Sequence, residues 1–81
     1  MIVTVTQEDF DNAGPYYDNH NCLMATALKR YFPGKEIRVL PFCCSVGEEE
    51  YHWGEQEESK IQDSYWKTNF PFNVRLAKHE M

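Results

Sequence analysis

The chain predicts an α+β domain: one main helix packed on a small, mostly antiparallel sheet of three to four strands, with a second short helix. Three stretches carry this expectation. The first residues, Ile2, Val3, Thr4, Val5 and Thr6, are all β-branched, which favours a strand. Cys22 to Phe32 places Met24, Leu28 and Tyr31 on one helical stripe, with Ala25 and Phe32 beside it. Near the end, Phe72, Val74 and Leu76 alternate with Asn73 and Arg75, the period-two pattern of a half-buried strand.

The elements follow in order. After the first strand, Thr6-Gln7-Glu8-Asp9 resembles a capping box, a Thr with an acid three residues on, and opens a short helical turn. Asn12-Ala13-Gly14-Pro15 ends that turn. Asp18-Asn19-His20-Asn21 is a run of capping residues leading into the main helix. That helix carries Lys29 and Arg30 in its last turn, where the macrodipole favours cations, and stops at Pro33-Gly34. Glu36 to Cys43 reads as a strand, with Ile37, Val39 and Cys43 on one side and Arg38, Leu40 and Phe42 on the other. Pro41 interrupts it, as at an edge or a bulge. Glu50 to Glu55 reads as a further strand with Tyr51 and Trp53 inward and Glu50 and His52 outward. Ser59 to Thr68 is expected to form the short helix, with Ile61 and Tyr65 on one face, before the strand Pro71 to Ala77.

Eighty-one residues make a single domain, 1–81, near the lower limit for a self-sufficient core. An aromatic share of 15% offsets the small size, because each buried ring removes roughly 150–250 Å² from water. Phe10, Tyr31, Phe32, Phe42, Trp53, Trp66, Phe70 and Phe72 are the expected core rings, and a homodimer would reinforce such a core. Net charge is −5, which argues against direct nucleic-acid binding and against anionic membranes. No segment reaches the roughly 20 apolar residues of a membrane span, and the N-terminus lacks the pattern of a signal peptide. Cys22, Cys43 and Cys44 are therefore expected as free thiols in the cytoplasm.

The densest chemical feature is Glu48 to Asp63, with seven of the thirteen acids and one base, Lys60. Large aromatics interrupt the run, so it reads as a folded surface and not as a solvating tail. Glu48, Glu49, Glu50, Glu55, Glu57 and Glu58 are the expected partner-binding carboxylates, with Tyr51 and Trp53 as aromatic anchors. Glu8, Asp9, Asp11 and Asp18 form a second acidic group. Together they would steer a positively charged partner. Carboxylates can also occupy the positions of nucleic-acid phosphates, which makes a basic, nucleic-acid-handling protein the expected target.

Three other constellations compete. Lys29, Arg30, Lys35 and Arg38, near Tyr31, would suit a phosphate-bearing ligand. Cys22 at a helix start resembles the nucleophile helix of papain-like and bacteriocin-processing cysteine peptidases over Asn21 to Leu28. That resemblance implies His52 as base, oriented by Asp63 or Asn73. His20, Cys22, Cys43, Cys44, His52 and His79 lack zinc-finger spacing, so neither a metal nor another cofactor is expected, and no catalytic residue is assigned.

The residues Val5-Thr6-Gln7-Glu8-Asp9, Asn21-Cys22, Ala25, Ala27-Leu28 and Pro71-Phe72 resemble the layout of short phage and prophage proteins. In that group Pro usually follows the Cys, where this chain has Leu23. The resemblance implies a phage setting and an anti-CRISPR or other anti-defence inhibitor, whose partner would be a host ribonucleoprotein of the CRISPR-effector kind.

Overall fold

The structure is a computed structural model that describes residues 1–67 and 69–79. Its elements run β1 (Ile2–Val5), α1 (Gln7–Asn12), α2 (Leu23–Tyr31), β2 (Ile37–Leu40), β3 (Cys43–Val46), β4 (Glu49–His52), α3 (Glu55–Lys67), β5 (Phe72–Arg75) and β6 (Ala77–Lys78). The fold is α+β as expected, but the strands divide into two antiparallel sheets: β1-β5, and β2-β3-β4-β6. None of the helices among the described residues is long and apolar enough to cross a membrane.

The capping box forms. Thr6 Oγ1 accepts from Asp9 N, and the Asp9 carboxylate accepts from Thr6 N. β1 then pairs with β5, setting Val3 opposite Val74, both fully buried. Met24, Ala25 and Leu28 of α2 are buried as their stripe requires. Leu23, Leu76 and Val5 join them in the same cluster, so the centre of the core is aliphatic.

Pro41 marks a turn, not an interruption within one strand. Leu40 pairs with Cys43, leaving Pro41 and Phe42 as a two-residue hairpin loop. Phe42 takes a left-handed φ of 68°, a conformation usually left to glycine. The next hairpin, Val46 to Glu49, turns at Gly47 with φ 61°, where a Cβ would be strained. The expected strand Glu36 to Cys43 thus ends at Leu40, and Cys43 opens a separate strand, β3, that runs to Val46. Its two adjacent thiols face opposite sides, Cys44 buried and Cys43 half-buried.

α3 begins four residues earlier than Ser59 and is the longest helix in the described chain. Glu58 N bonds back to Gly54 O. Glu55, Glu57 and Glu58 fill the first turn, where acids complement the positive end of the dipole. The expected end at Thr68 lies outside the described residues. Downstream, the expected strand Pro71 to Ala77 changes sheets at buried Leu76: β5 pairs with β1, and β6 pairs with β4.

The ring assignments need correction. Trp53 is buried, and Phe10, Phe32, Phe70 and Phe72 pack on the cluster. Phe42 and Trp66 stand exposed, and Tyr31 lies at the surface. Phe42 is displaced by its place in a hairpin turn.

Three sheet edges are closed by side chains or loop atoms. On β1, Thr4 N donates to the Tyr31 hydroxyl and Thr4 O accepts from Arg30 Nη2. On β5, Arg75 N donates to Glu57 Oε2 at 2.8 Å, while Asn73 O accepts from Lys60 Nζ at 3.2 Å. On β2, Val39 N donates to Asn19 O and Ile37 O meets His20 Nδ1. Open edges invite strand addition, and here the outward groups at Thr4, Asn73 O, Arg75 N, Ile37 O and Val39 N are occupied.

Candidate functional site

The acidic run splits into inward and outward members. Glu58 is the inward extreme, 5% exposed. Its Oε1 accepts from Phe42 N (3.0 Å) and Trp53 Nε1 (2.8 Å). Its Oε2 accepts from the Tyr16 hydroxyl and Gln62 Nε2, both at 3.2 Å. Burial pushes the carboxyl pKa up, but the four donors outweigh it and hold the group below its ordinary 4.5. Glu58 is thus an ionised tie between the β2-β3 turn, the end of β4, the 16–17 loop and α3. The expectation that it faces a partner is corrected by this geometry.

Tyr51 and Trp53 are also turned inward, at 9% and 6% exposure. Strand alternation places them there, as their pattern predicts, and removes them from the role of surface anchors. Glu57 is half-buried and caps the β5 edge together with Lys60, which sits 3.3 Å away. Glu49 is exposed but pairs with Lys78 at 3.3 Å and accepts from the Tyr51 hydroxyl. The Lys78 hydrogen bond, followed by the Tyr51 bond, lowers its pKa. Glu48, Glu50 and Glu55 are exposed, and their side chains take part in none of the ion pairs or hydrogen bonds of the described residues.

These three carboxylates do not share one depression. Glu48 lines a depression with Lys35, Glu50 one with Arg38, His52 and His79, and Glu55 one with Lys60 and Arg75. In the second acidic group, Asp9 is 2% exposed. Burial raises its pKa, but Arg30, Nε and Nη2 both at 2.7 Å, and Thr6 bring it below the ordinary 3.8. Asp18 accepts from the backbone N–H groups of His20 and Asn21. Glu8 and Asp11 remain at the surface.

The basic group does not converge either. Arg30 is committed to Asp9, and Lys29 donates to Asn21 Oδ1. Lys35 and Arg38 line separate depressions. Cys22 is the N-cap of α2 without a side-chain cap bond, and burial pushes its thiol pKa up. His52 lies elsewhere, on β4 opposite Cys43, with its ring against His79. Cys22 and His52 line different cavities, so the peptidase-like pairing is not assembled. Among the described residues there is no group of three His, Cys, Asp or Glu placed to hold a metal ion.

A groove of about 240 Å³ is the feature that sequence reasoning missed. Tyr16, Tyr17, Leu40, Pro41, Trp53 and Tyr65 contribute to its walls, with Glu58 and Cys22 also lining it. The Tyr16 and Tyr65 rings meet at 89° with centroids 5.4 Å apart. The Tyr65 hydroxyl accepts from Leu23 N, supplying the start of α2 with an acceptor, and burial pushes its pKa up to about 12. Exposed Tyr16, Tyr17 and Phe42 belong to the two loops beside this groove, and exposed Leu40 ends β2 there. A usable signal was present in Pro15-Tyr16-Tyr17-Asp18, two adjacent rings inside a turn-rich loop.

Comparison with protein-family models, with curated proteins and with solved structures returned no match.

Proposed function

We propose that the protein is a small acidic inhibitor of the phage anti-defence type, acting by binding a basic, nucleic-acid-handling protein or ribonucleoprotein in the host cytoplasm. A CRISPR effector is the kind of partner meant, and the action is stoichiometric binding, not catalysis. The observation that carries the reading is the trio Glu48, Glu50 and Glu55, exposed and without a pairing partner among the described residues, on a chain of net charge −5. Charges without internal duties are available to a partner. On a chain of net charge −5 their field would favour encounter with a cationic partner.

The contact set is narrower than the full acidic run. Glu57 and Glu58 serve the fold, Tyr51 and Trp53 are buried, and Glu49 is shared with Lys78. Exposed Tyr17, Leu40 and Phe42 take over the part of apolar contact.

The test is to titrate the protein into purified CRISPR effector complexes and follow target-DNA binding at rising salt. Inhibition should weaken as salt rises, because the Debye length is about 10 Å at 0.1 M and shrinks further above it. It should also weaken when Glu48, Glu50 and Glu55 are changed together to Lys. Inhibition that ignores both perturbations rejects the reading, as does failure to inhibit any effector.

A further inference from the structure

We propose that the groove between Tyr16, Tyr17, Trp53 and Tyr65 is a binding site for a quaternary ammonium head group, with the Glu58 carboxylate as its counter-charge. Glu58 is ionised, 5% exposed, and held by four neutral donors: a backbone N–H, an indole, an amide and a phenol. Among the described residues no Lys or Arg lines the groove. A full negative charge therefore sits at the edge of an apolar space without a cation to balance it, and such a charge attracts a cation strongly where water is scarce.

The hydrogen bonds narrow the chemistry of that cation. A carboxylate offers about four acceptor positions, and each Glu58 oxygen already accepts two bonds. A primary ammonium or a guanidinium would arrive with N–H groups needing acceptors and would leave them unpaired, a costly outcome in a buried site. A quaternary ammonium has no N–H to satisfy. It gains from the carboxylate field and from aromatic faces, the combination by which methylated ammonium groups are recognised.

Size and walls agree. At about 240 Å³ the groove is smaller than sites for drug-sized ligands, and it suits a head group. Tyr16 and Tyr65 stand at right angles as two walls. Tyr17 is 83% exposed at the mouth and has no partner of its own among the described residues. The site uses none of Glu48, Glu50 or Glu55, so although Tyr17 and Leu40 serve both surfaces, changes to those three carboxylates test the proposed function apart from this groove.

The experiment is a nuclear magnetic resonance titration of the whole chain with choline, read at the Trp53 indole N–H and the Phe42 and Leu23 amides. Methylammonium and the uncharged isostere 3,3-dimethylbutan-1-ol are run beside it at matched ionic strength. A peptide carrying trimethyllysine and phosphatidylcholine vesicles separate a protein source of the group from a free or lipid one. Saturable shifts with choline, or with either larger carrier, at least about ten-fold tighter than with the alcohol support the site.

Tyr17→Ala should weaken binding two- to five-fold and leave the fold intact. Glu58→Gln should weaken it at least about ten-fold. If Glu58→Gln loses its fold, Tyr17→Ala and the alcohol comparison decide. Equal affinity for choline and alcohol, preference for methylammonium, or no saturable shift at 100 mM on the order of the weakest useful site overturns the proposal. Binding retained in Glu48→Lys, Glu50→Lys, Glu55→Lys would show the two sites to be distinct, and binding lost there would contradict the assignment to this groove.

Discussion

Removing the Glu58 side chain should be the most damaging single change in the acidic run. In Glu58→Ala, Phe42 N–H and Trp53 Nε1–H lose their acceptor. A buried donor left unpaired costs about 1–3 kcal/mol. Trp53 is 6% exposed and takes the upper part of that range, while Phe42, in an exposed turn, takes the lower. Tyr16 and Gln62 are exposed, so their freed groups return to water at little cost. The sum is about 3–4 kcal/mol, to which the emptied volume adds.

A chain of this length is stabilised by roughly 4–12 kcal/mol at 0.05–0.15 kcal/mol per residue, so the variant loses a large share of its margin. Urea unfolding followed by Trp fluorescence and near-ultraviolet circular dichroism reads this as a lowered midpoint. Glu55→Ala is the control, expected within about 0.5 kcal/mol of the parent because its side chain makes no bond among the described residues. A Glu58→Ala midpoint indistinguishable from that control would refute the claim that this carboxylate ties four segments together.

Acid should destabilise the fold in a defined direction. Glu58 and Asp9 both have folded pKa values below their ordinary 4.5 and 3.8, so the unfolded chain binds protons first. Their stabilisation is complete above those values and is lost as pH falls toward the folded ones; a urea midpoint that rises from pH 5 to pH 3 would contradict this. Phe42→Gly should hold or raise stability, since it removes a left-handed strain of about 1–2 kcal/mol from an exposed ring; a drop above about 1 kcal/mol would show the ring to be part of the core. Arg30→Ala should cost about 2 kcal/mol, less than the roughly 3–5 kcal/mol of a fully buried pair because Arg30 itself is 46% exposed, and thermal unfolding measures it. The joint change of Glu48, Glu50 and Glu55 to Lys should lower the thermal midpoint only by what the dipole contribution of Glu55 is worth, about 0.3–1 kcal/mol, and a larger fall would mean that these residues carry structural bonds.

The sequence made β1, α1, α2 and the alternation of Phe72 to Leu76 legible, because each depends on neighbours within a few positions. Thr6 and Asp9 cap each other across three residues, and Met24 and Leu28 fall on one stripe regardless of the rest of the chain. The Pro41-Phe42 turn was hidden by an apolar alternation that runs through it, and by a left-handed residue that is not glycine. The start of α3 was hidden because Gly54 reads as a turn and the following glutamates read as surface. Charge density located the acidic run but could not give its direction. Glu57 faces inward because Arg75 N needs an acceptor, and Glu58 because Phe42 and Trp53 do. These partners are fixed only once β5 and the β2-β3 hairpin have been placed. The Tyr16 and Tyr17 groove escaped for the same reason, since its walls come from loops, the end of β2 and two helices, α2 and α3.

Hydrogen exchange at the Trp53 indole nitrogen addresses the division of the acidic run most directly. The proton should exchange only through global unfolding, at a rate that tracks denaturant stability and quickens sharply in Glu58→Gln. Exchange as fast as that of exposed Trp66 in the native protein would mean that the indole is not bound to a buried carboxylate, and that the glutamates of this run are not sorted into structural and available members.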